Sequence, residues 1–275
     1  MRTRHLAALL LLLPGRPEAA PVDLTYTVYA AGLRIMEVAA RLDLGEERYR
    51  IEATTRTVGA AALFASSTQV TVVEGGWRGP EPQPQRYRAD GQLRGEPRHI
   101  HIDYDGRRPL LRMVDPPNEI EREAVPEAML PGSVDTLSVL ARMMRLVGME
   151  GNCNADATTY DGRRLQSWHA HTEGPERLTA RPIHFDGMAL RCGFEGRVIA
   201  GFRNSDARGD AARPFGGTAW LATVSPYLPP VPVRLEFDTR WFGTARAELQ
   251  SVVTPPVALP GPPAPVPPGR GATAR

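Results

Sequence analysis

Most of this chain is written in a period of two. In YRIEATTRT, residues 49–57, Tyr49, Ile51 and Ala53 fall on one side of an extended backbone. Arg50, Glu52 and Thr54 fall on the other, the mark of a half-buried strand. The same alternation fills residues 22–57, broken at Gly32 and at residues 45–47, and returns in STQVTVVEGGW, residues 67–77. HIHIDYDGRRPLLRMV, residues 99–114, reads as a hairpin, with Asp105-Gly106 supplying the positive φ of a tight turn. GPEPQPQRY between them, residues 79–87, reads as a proline-punctuated loop. A second β-rich stretch runs from Thr158 to Val253, with turn candidates at Asp161-Gly162, Asp186-Gly187 and Gly216-Gly217 and a closing hairpin over residues 231–253.

One segment breaks the period. SVDTLSVLARMMRLVG, residues 133–148, predicts a helix whose apolar face, Leu137, Leu140, Ala141 and Met144, packs on the sheet. Ser133 suits its cap, Asp135 its first turn, Arg142 and Arg145 its last, and Gly148 its end. The connection before it, residues 115–132, is too rich in proline for a central strand, and its alternating acids Glu119, Glu121 and Glu123 read as solvated. Residues 21–253 are therefore expected to form a single, mainly β domain of antiparallel strands with one helix. Residues 1–20 join a basic start, an apolar run and a small pair, Ala19-Ala20, and are expected to be a signal peptide. The apolar run falls short of the ~20 residues that cross a bilayer, so no transmembrane span is expected. Residues 254–275, dense in proline, are expected to be a disordered tail.

Composition removes several functions. All 33 basic residues are arginine. Walker A loops, pyridoxal Schiff bases and Ser-x-x-Lys nucleophiles each need a lysine and are excluded. Arginines and acids are interspersed, and without residues 1–20 the formal charge of +2 falls to zero, since Arg2, Arg4 and Arg16 oppose Glu18 there. No nucleic-acid partner is expected. No Gly-x-Ser-x-Gly elbow and no glycine-rich phosphate loop occur, and no catalytic residue or cofactor is assigned. Two cysteines in an exported chain point to a Cys153–Cys192 disulfide, the alternative being two buried free thiols.

The histidines leave two readings. On a strand, His99, His101 and Asp103 share one face while Ile100, Ile102 and Tyr104 share the other. WHAHTE repeats the arrangement with His169, His171 and Glu173, and His184 follows. Two imidazoles and a carboxylate can share a metal, and WHAHTE looks like a fragment of the cupin signature, although its glutamate is too close and the flanking glycines do not fit. The plainer reading is a polar strand face in water, because Ile100, Ile102 and Tyr104 already supply a core face. It assigns no metal; the other keeps His99, His101, His169 and His171 as candidate ligands.

The order of features resembles a known family. Tyr-x-Val-Tyr-x-x-Gly-Leu at residues 26–33 precedes the first strands, a proline-rich link leads to the helix, and TYDGRRLQSW and IAGF (residues 199–202) flank the second cysteine's strand. This is similar to the proteobacterial exported proteins called domain of unknown function 3108, over roughly residues 24–252. The resemblance implies a Gram-negative periplasmic or secreted protein with a strongly curved, half-barrel-like antiparallel sheet and one helix against it. It supplies no activity. The leading expectation is a non-enzymatic module that binds or carries an apolar ligand or engages an envelope partner. The alternatives are a metal-dependent cupin-like enzyme using the His-x-His pairs, and an interaction module acting through a sheet edge or the proline-rich tail.

Overall fold

The computed structural model describes residues 21–179, 185–239 and 243–254. The expected signal peptide, nearly all of the expected tail and His184 lie outside the described residues. Strands make up 62% of the structure. They are β1 (Val22–Ala30), β2 (Leu33–Leu44), β3 (Arg48–Thr57), β4 (Ser67–Arg78), β5 (Glu81–Leu93), β6 (Glu96–Asp105) and β7 (Arg108–Asp115) before the long helix. After it come β8 (Ala155–Tyr160), β9 (Leu165–Leu178), β10 (Gly187–Ala200), β11 (Phe215–Ala222), β12 (Val231–Thr239) and β13 (Gly243–Val253). The helices are α1 (Ala61–Ala65), α2 (Asn118–Glu121), α3 (Thr136–Glu150) and α4 (Arg208–Ala211).

All thirteen strands join one antiparallel sheet in the order β7-β6-β5-β4-β3-β2-β1-β13-β12-β11-β10-β9-β8. The chain thus winds outward from β1 to β7, crosses through α3, and winds back until β13 pairs with β1. A twisted sheet of this width curls, and β-bulges at Thr25/Tyr26, Val28/Tyr29 and Glu74/Gly75 sharpen the bend. The result is a nearly closed barrel with one seam between the edge strands β7 and β8. The two β-rich halves are therefore one continuous sheet.

The interior is filled. Leu24, Leu42, Tyr49, Ile51, Val73 and Ile102 project inward from the strands and meet Ala141, Met144 and Val147 of α3 in one apolar cluster. Asp135, rather than Ser133, caps the helix, its Oδ1 accepting from the Ser138 amide at 2.8 Å. The helix ends at Gly151, in the left-handed conformation, so it runs Thr136–Glu150 and not 133–148. Gly148, expected as the stop, lies inside the last turns, where a Cβ would stand 3.2 Å from Pro229 and Pro230. It is there for close packing.

Two other expectations are corrected. The stretch read as a proline loop is the first half of β5, with Pro82 and Pro84 in register with Trp77 and Gly75 of β4. Pairing with β6 begins only at Arg86, so both prolines sit where β5 has a neighbour on one side, the place a strand tolerates them. Gly216-Gly217 is not a turn but part of β11, where a Cβ on Gly217 would strike the Glu236 carbonyl oxygen at 2.2 Å and the Phe194 ring at 2.5 Å.

The seam is held by the β8–β9 turn. Arg163, only 8% exposed, forks onto the carbonyl oxygens of Asp115 (2.9 Å) and Pro116 (3.0 Å) at the end of β7, and donates to Asn118 Oδ1 at 3.2 Å. Asn118 Nδ2 returns a bond to the Gly162 carbonyl at 2.8 Å. Asp161 Oδ1 accepts from the amides of Arg163 and Arg164, which sets the turn. Gly162, at φ +85°, stands so close to β6 that a Cβ would reach Ile100 Cγ2 at 2.3 Å. YDGRR occurs twice: the first copy makes the β6–β7 turn, where Arg107 exchanges hydrogen bonds with Gly132 ahead of α3, and the second clasps the seam.

Candidate functional site

Among the described residues, two clefts open at the ends of the strands. One, of about 300 Å³, opens where the C-terminal half of α3 crosses the β2–β3 turn, lined by Leu44, Trp77, Ala141, Arg145, Met149 and Pro229, among others. Its volume is at the lower end of the range of small-molecule sites, and its lining is mostly apolar, as theirs is. Trp77 forms the aromatic wall because β4 continues past the bulge at Gly75 and projects it inward at the rim. Its ring packs on Tyr49 at 4.7 Å between centroids, and the Arg145 guanidinium lies 4.5 Å above it.

This wall is tied to the helix cap by a chain of hydrogen bonds. Ser138 Oγ donates to Asp135 Oδ2 at 2.6 Å, which leaves Tyr49 to donate to Ser138 Oγ at 2.8 Å. Burial pushes the Asp135 carboxyl above its usual pKa, opposed by the Ser138 hydroxyl and amide. Burial, with Asp135 nearby, likewise raises the Tyr49 and Tyr104 phenols. Arg145 spends its terminal nitrogens on the carbonyls of Gly45 and Glu46, at 3.4 and 3.2 Å, and burial lowers its pKa. Trp77 Nε1 and Arg145 Nε are buried donors with no acceptor among the described residues.

A groove of about 350 Å³ at the β1–β2 turn differs in chemistry. It borders Arg246 and Glu248 on the outer face, where Arg246 already bonds Glu236 at 2.9 Å. Its one aromatic lining residue is Tyr29, beside the charged pair.

The four candidate histidines do not make one site. His99 and His101 lie on the outer face of β6, opposite the inward Ile100, Ile102 and Tyr104, as an amphipathic strand requires. Asp103 shares their face but is held by Arg88 (2.5 Å) and Arg112 (3.0 Å). The carboxylate that meets them is Asp90 of β5. His169 and His171 lie on β9, exposed, the first on Asp156 at 2.9 Å and the second 3.5 Å from Glu173. The one group with three convergent metal-ligating side chains among the described residues, Asp90, His99 and His101, draws nothing from β9.

Cys153 and Cys192 are joined in a disulfide that ties the segment after α3 to β10. Sequence reasoning missed Trp77 and Arg145 as partners. It also missed Asp90, because its cross-strand pairing with His99 is invisible while residues 79–87 pass for a loop.

A family model described as "Protein of unknown function (DUF3108)" matches residues 25–250. No curated protein matches the chain. Among solved structures, the chain is similar to a beta-barrel-like protein of domain of unknown function DUF1849 from Brucella abortus. The TM-score is 0.54 at 9% identity, over 87% of this chain and 99% of that one, a likeness of fold alone.

Proposed function

Because the chain belongs to the DUF3108 family, whose description assigns no activity, we propose its function from geometry: a non-enzymatic envelope protein that binds one small apolar molecule in the rim cleft over Trp77. The observation that carries this reading is an apolar cleft walled by the Trp77 ring, with the Arg145 guanidinium on the same lining 4.5 Å from that ring. Such a cleft selects a ligand with an apolar body that can lie against the Trp77 ring. The packed interior directs the ligand to the rim rather than the barrel centre. Periplasmic or secreted placement is supported by the Cys153–Cys192 disulfide, a bond that persists in oxidising compartments.

The test is an isothermal calorimetric titration with dodecanoate, an acyl chain ending in a carboxylate. Saturable binding that Trp77→Ala abolishes and Arg145→Gln weakens supports the reading. No saturable signal with dodecanoate or dodecanol, or binding unchanged in Trp77→Ala, contradicts it.

A second reading has its own observation. Edge strand β7 exposes Leu111 and Met113, and among the described residues no backbone group of residues 109–114 pairs beyond β6. Such an edge can accept a partner's strand. Leu111→Arg with unchanged dodecanoate binding but lost partner capture would favour it.

A further inference from the structure

The outer face of β5 and β6 carries a cluster that the rim cleft does not use. His99 Nδ1 lies 2.7 Å and His101 Nε2 2.8 Å from a single oxygen, Asp90 Oδ1. Three side chains from two strands therefore aim their ligand atoms at one point, all within 4.8 Å of one another. The arrangement follows from pairing. His99 and His101 are two residues apart and so share a face, and Asp90 is the direct cross-strand partner of His99. We propose that Asp90, His99 and His101 bind a borderline divalent transition-metal ion of the zinc or copper class on the outside of the barrel.

Three features favour an ion over a simple hydrogen-bonded trio. The donor set, two imidazoles and one carboxylate, is the one such ions prefer over magnesium or calcium. The neighbouring arginines are engaged elsewhere: Arg88 is on Asp103 and on the carbonyls of Tyr87 and Ile102, and Arg98 is bidentate on Glu121. Asp90 thus keeps its negative charge free of a guanidinium. The side chains of Asp90, His99 and His101 are 46%, 37% and 27% exposed, so an ion can enter without opening the core and water can complete its shell. Next door on β7, Met113 and Asp115 are the cross-strand partners of His101 and His99, which places a thioether and a second carboxylate at the rim of the site. With neutral imidazoles the three ligands carry one negative charge, against the ion's two positive ones.

The site belongs to none of the proposed functions of the cleft. It also differs from a cupin-like centre, since the second histidine pair sits on β9 with acids of its own.

The experiment uses untagged full-length protein, stripped with chelator and titrated calorimetrically with zinc chloride and, separately, copper(II) chloride. One equivalent should bind. His99→Ala and His101→Ala should each weaken binding by at least the 10–100-fold that even an outer-shell change costs, and Asp90→Asn should weaken it too. A His169→Ala/His171→Ala control should leave it intact. Because all three side chains are half-buried on the outer face, away from the core, circular dichroism of the stripped variants should match the parent. No heat of binding for either ion, or binding that survives His99→Ala/His101→Ala, or binding lost in the β9 control, overturns the proposal.

Discussion

Replacing Arg163 should open the barrel's seam. Its guanidinium makes three hydrogen bonds, to the carbonyls of Asp115 and Pro116 and to Asn118 Oδ1, and lies 3.9 Å from Glu121. A hydrogen bond to a charged group contributes about 1.5–3 kcal/mol. Burial of the guanidinium opposes that sum and lowers its pKa. Arg163→Ala removes the charge together with its bonds and leaves the acceptors of β7 unpaired at the seam. The comparable loss, one partner taken from a buried charged pair, costs about 3–5 kcal/mol. For a chain of this size that corresponds to a melting point lowered by ~6–20 °C, taking 2–4 °C per kcal/mol. Arg163→Lys keeps the charge but not the fork, and should fall between the two. Urea unfolding by circular dichroism reads the midpoint, and an unchanged slope would assign the effect to the native state. Hydrogen exchange should accelerate in β7 and β8 before it does in β1 and β13. A loss below ~1 kcal/mol in Arg163→Ala, or exchange rising uniformly round the sheet, would refute the clasp.

Three further outcomes follow from the same structure. Gly201 has φ +76°, and a Cβ there would stand 2.2 Å from the Arg163 carbonyl oxygen, so Gly201→Ala should cost about 2 kcal/mol or more and add less than fully to Arg163→Ala in a double-mutant cycle. The disulfide spans 39 residues, so Cys153→Ser/Cys192→Ser should lose roughly 4 kcal/mol in the chain-entropy account, and a loss under ~1 kcal/mol would count against it. Asp135 titrates above the ordinary carboxyl range when folded, so its contribution to stability is full below the unfolded value of ~3.9 and is lost as pH rises through the folded one. Asp135→Asn cannot ionise, so its stability relative to wild type should improve as pH is raised from about 4 to 7; a difference flat in pH would contradict this.

The fold was legible where one physical signal dominated. Alternation placed Tyr49, Ile51 and Ala53 inward, and helical spacing found α3, because both patterns report burial directly. The helix start was misplaced because Ser133 and Asp135 are both good caps, and only the structure shows Asp135 accepting from Ser138. Pro82 and Pro84 disguised β5 because a proline's cost depends on whether a neighbour needs its amide, which sequence does not state. The same disguise hid Asp90 from His99. The Asp161-Gly162-Arg163-Arg164 motif stood out in the sequence, but its clasp role could not be read, since its partners lie 45 to 48 residues away. The cleft was not legible either. Trp77 and Arg145 meet only once β4 and α3 reach the same rim.

Whether the rim cleft holds a molecule decides the proposed function. The most direct measurement is the native intact mass of the protein exported to a periplasm and purified without chelator or reductant, beside its Trp77→Ala variant. The predicted result is an adduct of a few hundred daltons, on the order of one ligand for a cleft near 300 Å³, present in the parent and missing from a folded Trp77→Ala. A bare mass in the parent, or an adduct that persists in the variant, would contradict it.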